Sequence, residues 1–202
     1  MRLALLALAW SCSATAAEGD AFLAQVMAQL AQHEVVRARF LQERFVAAMP
    51  APVASRGRMT VSRREGLIWR VEEPVQVALA FTPTQIIETG PDGARRVVSP
   101  RRGGAQAEMG RLIRSLTATD AAELRSSFEL QVSGNLERWT MDLKPRRREM
   151  ARFLSVIQLS GGRYLETIDI HETSGERTFI RMTGFVTAAA LDATERAELT
   201  PP

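Results

Sequence analysis

Residues Ser55–Pro74, SRGRMTVSRREGLIWRVEEP, read as two β-strands joined by an Arg-Arg-Glu-Gly turn. Gly57, Met59 and Val61 alternate onto one face of the first strand, and Leu67, Trp69 and Val71 share a face of the second, which Pro74 closes. Continued alternation puts Arg63 on the apolar face of the first strand. An arginine aimed there is costly to desolvate without a partner, which marks a site rather than a plain wall.

The same period-two pattern recurs outward from this hairpin. Val75, Val77, Leu79 and Phe81 alternate with small and polar residues up to Pro83, and Gly90-Pro91-Asp92-Gly93 is a turn before a short Val97-Val98 strand. Phe128, Leu130 and Val132, then Trp139, Met141 and Leu143, continue it. Hairpins follow around Gly161-Gly162 and Ser174-Gly175. Upstream, Val35–Val46 is strand-like by composition, although its two faces do not separate cleanly. Consecutive hairpins with no alternation of strand and helix imply a largely antiparallel sheet.

Helical periodicity appears in three places. Leu23, Val26, Met27 and Leu30 form a stripe in a helix expected over Asp20–Gln32, with Asp20 as N-cap. Met109, Leu112, Ile113 and Leu116 form a second stripe within Ala105–Leu116. Asp120 with Glu123 has the spacing of a capping box opening a short helix to about Ser127. Helices set within a run of strands pack on one sheet face, as a lid. The fold class is therefore mainly β with α (α+β): a curved, largely antiparallel sheet with helices covering one face like a lid. Thr187–Pro202 are less patterned.

The N-terminus has the form of an export signal. Arg2 precedes the apolar run Leu3–Trp10, then small residues, then Glu18-Gly19-Asp20. Cleavage after Ala16 or Ala17 is expected, with residues 1–17 as signal peptide and 18–202 as one soluble, exported domain of about 185 residues, enough for a substantial core. The single cysteine, Cys12, lies inside that signal. Its lipidation would tether the chain to a membrane, although Trp10 is bulky where a small residue belongs. Without Cys12 no disulfide or thiol chemistry remains.

Composition excludes much. The chain has two histidines, His33 and His171, and no G-x-S-x-G elbow, H-E-x-x-H or clustered metal ligands. No enzymatic activity, cofactor or metal is expected. The net charge is +3, and of the 26 basic residues only Lys144 is lysine. Arginine clusters such as Arg146-Arg147-Arg148 fall on turns, as solvated charge or as a contact for an anionic membrane or acidic partner. No aromatic stacking motif accompanies them, so no nucleic-acid partner is expected. What remains is apolar surface lining the curve of the sheet: Met59, Val61, Leu67, Trp69, Val77, Leu79, Phe81, Phe128, Leu130, Trp139, Met141 and Leu143. It is either a filled core or a cavity for an apolar ligand.

These residues resemble the periplasmic outer-membrane lipoprotein carrier family (LolA-like). Its pattern of an N-terminal helix, F-x-Q, then G-x-(L/F)-x-x-x-R-P-x-x-x-x-W, corresponds to Phe40-Leu41-Gln42, then Gly57, Met59, Arg63 and Trp69. A W-x-L-x-L-x-P pattern corresponds to Trp139, Met141, Leu143 and Pro145, and Thr200-Pro201-Pro202 matches a late T-P-P. The family's proline after the arginine is Arg64 here, Arg196 and Glu198 stand where apolar residues precede the T-P-P, and the chain stops where carriers run on through another strand. The resemblance implies an unclosed barrel under a helical lid, with Arg63 matching the arginine that latches the lid. It implies a monomer that binds lipoprotein acyl chains, received from an inner-membrane transporter complex and passed to an outer-membrane acceptor. Another amphiphile as cargo (a glycolipid or lipid-linked pigment), a membrane-tethered acceptor and a lipid-sensing module are alternatives on the same fold.

Overall fold

The computed structural model describes residues 12–98 and 121–202. Eleven strands form one sheet in the order β6-β5-β4-β3-β2-β1-β11-β10-β9-β8-β7. They are β1 (Val35–Phe45), β2 (Val53–Ser62), β3 (Gly66–Glu73), β4 (Val77–Phe81), β5 (Ile86–Thr89), β6 (Arg95–Val98), β7 (Phe128–Asn135), β8 (Arg138–Pro145), β9 (Leu154–Gly161), β10 (Leu165–Glu172) and β11 (Arg177–Ala188). Every neighbouring pair is antiparallel. The sheet does not close: β6 and β7 are its two ends. Chain order is preserved on either side of one junction, where β1 pairs with β11 and joins the two meanders. The described helices are α1 (Cys12–Leu30), α2 (Ala121–Ser127), the single turn α3 (Arg148–Ala151) and α4 (Ala193–Leu199).

The hairpin of β2 and β3 forms as its sequence dictates, with Met59 opposite Trp69 and Val61 opposite Leu67. Its turn requires Gly66, whose φ is +136° and where a Cβ would lie 2.0 Å from the Phe81 carbonyl oxygen. Gly57 is required by close approach: a Cβ there would stand 1.9 Å from the Arg70 carbonyl oxygen.

One apolar cluster fills the concave face. It takes Phe40 from β1, Met59 and Val61 from β2, Leu67 and Trp69 from β3, then Trp139, Met141 and Leu143 from β8 and Ile157 and Leu159 from β9, with Leu23, Val26, Met27 and Leu30 of α1 laid across it. A second, smaller cluster lies on the opposite, convex face: Val35, Ile68, Ala80 and Ile87 under Leu191 and Leu199. It explains why β1 shows no clean alternation. Val35 and Ala38 are both buried, one beneath the C-terminal helix and the other in the concavity.

Two expectations change, and a third lies outside the described residues. The helix expected over Asp20–Gln32 is α1, Cys12–Leu30, so Asp20 is inside it rather than its cap and instead pairs with Arg125 of α2 at 2.5 Å. Asp120 and the stripe Met109, Leu112, Ile113 and Leu116 lie outside the described residues. The weakly patterned C-terminus holds α4, which has a complete capping box: Asp192 accepts from the Glu195 amide and Glu195 from the Asp192 amide.

Helix α4 is pinned to the sheet by charge. Glu195 is buried and takes two hydrogen bonds from Arg37, at 2.6 and 2.5 Å, and one from the Thr60 hydroxyl at 3.0 Å. The Arg37 bonds, with help from the Asp192 amide and Thr60, hold its carboxyl down at about 2 against the desolvation that opposes them. Glu198 pairs with Arg70, and one Arg95 nitrogen donates to the carbonyls of Ala197, Glu198 and Thr200 at the helix end.

Candidate functional site: the covered apolar concavity

The concave face is built by cross-strand rows. Val61, Leu67 and Phe81 form one, and Ala38, Met59, Trp69 and Leu79 the next. Phe40 stands opposite Gly57, and its ring stacks on Trp69 at 3.9 Å and 22°. Across the junction Phe40 pairs with Met182, and the rows continue through Ile180, Ile168 and Leu159 to Met141. Trp139 is fully buried opposite Gly161, and its Nε1 donates to the Gly162 carbonyl at 2.8 Å.

The structure brings the sequence-selected apolar residues together. Met59, Val61, Leu67, Trp69, Leu79, Phe81, Phe128, Trp139, Met141 and Leu143 are all buried in the one concave cluster, and Leu130 is half-buried against it. Val77 is half-buried nearer the sheet end.

Arg63 is elsewhere. Strand β2 ends at Ser62, so the alternation stops one residue short, and Arg63 is exposed in the turn at 63–65. Its amide donates to the Glu34 carbonyl at 3.0 Å, and its side chain makes no ion pair among the described residues. Met109, Leu112, Ile113 and Leu116, the stripe expected to form the lid, are not among the described residues.

The described cover is α1 with Leu124 of α2. Its polar attachment to the wall includes Gln29, whose Nε2 donates to the carbonyls of Leu136 at 2.8 Å and Gly162 at 2.6 Å. Gly162 thus accepts from both the wall (Trp139) and the cover (Gln29). Sequence reasoning missed Gln29. Its only signal was a position one residue before Leu30 of the apolar stripe, at the helix end. Gln29→Ala is expected to cost about 1–2 kcal/mol, for two lost bonds. Amide exchange in the last turns of α1 should become roughly tenfold faster, read by hydrogen exchange.

Chemically the concavity is uniform. The buried polar or charged side chains of the described structure are Thr60, Ser62 and Glu195, and none belongs to the concave cluster. No group of three or more His, Cys, Asp or Glu among the described residues could hold a metal. No described helix is long and apolar enough to cross a membrane.

An open antiparallel half-barrel, apolar inside and roofed by helices, defines the LolA-like class of fold. The chain belongs to the family described as outer membrane lipoprotein carrier protein LolA-like, whose model matches residues 13–200. Among solved structures it is similar to the LolA superfamily protein NE2245 from Nitrosomonas europaea, at 10% identity and TM-score 0.51, covering 87% of this chain and 96% of that one. It is also similar to an outer membrane lipoprotein-sorting protein domain from Vibrio parahaemolyticus, at 8% identity and TM-score 0.53, with 90% and 97% covered. A DUF1329 family protein from Desulfovibrio piger gives 9% identity and TM-score 0.54, with 90% and 96% covered. At such identities the likeness is one of fold. No curated protein sequence matches the chain significantly.

Proposed function

We propose that the protein is a periplasmic carrier that takes acyl chains of lipoproteins, or of a related lipid, into the concavity and shuttles them from an inner-membrane transporter to an outer-membrane acceptor. The observation that carries this reading is the concave face itself, apolar across the joined meanders and roofed by a helix lying against it rather than by a second sheet. Family membership supports the same reading.

The energetics suit a shuttle. Burying an acyl chain of about 16 carbons gains about 12 kcal/mol, at ~0.8 kcal/mol per CH₂. Lifting α1 uncovers Leu23, Val26, Met27 and Leu30, a loss of about 6–12 kcal/mol at ~1.5–3 kcal/mol each. For each chain buried the two are of the same order, so opening the cover offsets part of the gain and keeps cargo releasable.

Native mass spectrometry of the protein purified from its own periplasm tests the reading. A bound triacylated lipoprotein is the expected result. A smaller bound amphiphile would move the cargo to a glycolipid or lipid-linked pigment, and a protein that stays empty with added palmitate would overturn the carrier role. The latch role of Arg63 is tested separately. Arg63→Leu is expected to leave stability within about 0.5 kcal/mol, because the residue is exposed in a turn, and to retain cargo that wild type releases to acceptor vesicles. Release at the wild-type rate would remove the latch.

A further inference from the structure

The convex face of the sheet carries two chemistries. Over β7–β10 its cross-strand neighbours are mostly neutral: Ser133 and Thr140 share a hydrogen bond of 2.7 Å, and Ser160 and Thr167 one of 2.6 Å. Over β1–β3 they are cationic. Arg39 stands directly opposite Arg58, and Arg58 directly opposite Arg70. Like charges facing each other across antiparallel strands oppose pairing, so this row serves something other than the sheet.

The acids present offset only part of it. Arg58 pairs with Glu72 at 2.5 Å, and Arg70 pairs with Glu198. Arg39 is exposed and makes no ion pair among the described residues. Its guanidinium lies over Gly184, where a Cβ would come within 3.2 Å of it. Nearby, Arg181 is exposed, 5.5 Å over the Phe179 ring, again with no ion pair among the described residues.

The arginines line a trough. A cavity of about 970 Å³ lies between α4 and the sheet, with Arg37, Arg39, Arg58 and Arg70 facing Asp192, Glu195 and Glu198. It shares Arg39 with a second cavity of about 470 Å³ that reaches Arg56 and Arg181. It shares Arg58 and Arg70 with a third of about 380 Å³ that reaches Arg95. Together seven arginines and four acidic side chains line the three, and Glu73 beside them pairs with Arg56 at 3.2 Å, which still leaves an excess of positive charge. From β11 across to β5 the trough spans roughly 24 Å, at about 4.8 Å per strand, the length of an extended segment of about seven residues.

We propose that this trough docks an acidic, extended polypeptide segment of a partner protein. Guanidinium forks pair with carboxylates two bonds at a time, and a row of them reads a row of Asp and Glu side chains. The wall formed by α4 favours a narrow chain over a flat bilayer, because the groove floor beside it is recessed. The trough lies on the face opposite the apolar concavity, so a partner docks without covering the cargo.

The test is fluorescence anisotropy with a fluorescein-labelled decapeptide of alternating glutamate and serine, titrated with the full protein at about 25 mM salt and again at about 250 mM. Saturable binding that weakens at the higher salt is expected. The Arg39→Gln/Arg58→Gln/Arg181→Gln variant should weaken it at least about tenfold, and Arg39→Gln alone, which breaks no ion pair, at least about threefold. The control Arg147→Gln/Arg148→Gln/Arg152→Gln removes the same charge from another exposed site and should stay within about twofold of wild type. No saturable binding by wild type, or equal weakening in trough and control variants, overturns the proposal. Vesicles of phosphatidylglycerol that bind through the trough arginines while the peptide does not would also overturn it, in favour of a membrane surface.

Discussion

Trp139→Ala is expected to destabilise the protein by about 3–5 kcal/mol, the range for deleting a large buried aromatic. The side chain is fully buried near the start of β8, with Met141 and Leu143 following on the same face and Gly161 opposite it, where a Cβ would lie 3.0 Å from the indole. The substitution also frees the Gly162 carbonyl of its 2.8 Å bond from Nε1 and leaves it to Gln29 alone. That is a large share of a total of about 5–15 kcal/mol. Urea denaturation should show the midpoint falling with little change in slope. A loss below about 1 kcal/mol would mean that the concavity is already open around the indole. Trp139→Phe keeps most of the volume and should cost about half as much, which separates packing from the hydrogen bond.

Glu195→Gln is expected to lower stability at pH 7 by about 2–3 kcal/mol. The folded-state carboxyl sits at about 2, below its ordinary 4.5, chiefly because Arg37 donates two hydrogen bonds to it. A carboxyl depressed on folding contributes stability that is fully present above the unfolded value and lost as pH falls through the folded one. The contribution therefore holds above about pH 5 and disappears towards pH 2. Each tenfold depression is worth about 1.36 kcal/mol, which sets an upper figure near 3 kcal/mol, and the partial exposure of Arg37 reduces it. The wild type should lose more stability than Glu195→Gln between pH 5 and pH 2, with the two curves converging at the acid end. Parallel urea midpoints across that window would show that the ion pair adds nothing. Because Glu195 also closes the capping box and meets Thr60, local release of α4, with its Leu199, from Ile68 and Ala80 should accompany the loss, seen as faster exchange of its amides.

How far the sequence reaches can be followed residue by residue. Alternation placed Met59, Val61, Leu67 and Trp69 on one face, and they share it, because a strand with one face buried in a common core must alternate. It failed at Arg63, where the face was extrapolated one residue into a turn. It also missed the second core. Ile68 and Ala80 look like outward positions until a helix from the far end of the chain covers them. The Asp192–Glu195 spacing was a usable sign of that helix, since the same D-x-x-E spacing had marked a helix start at Asp120. Arg196 and Glu198, departures from the family's apolar pattern, bond α4 to Leu191 and to Arg70.

By itself the sequence determined the antiparallel meanders, the apolar face they share and the covering helix at the N-terminus, since each is written in local periodicity and turn residues. Tertiary structure alone decided that β1 pairs with β11 to join two meanders into one open sheet, that α4 is locked to the convex face through Glu195 and Arg37, and that Arg181 of β11 and the wall of α4 join the β1–β3 arginines to make a trough. These depend on contacts between residues more than a hundred positions apart. Such contacts leave no periodic trace in the chain and exist only when packing brings the strands together.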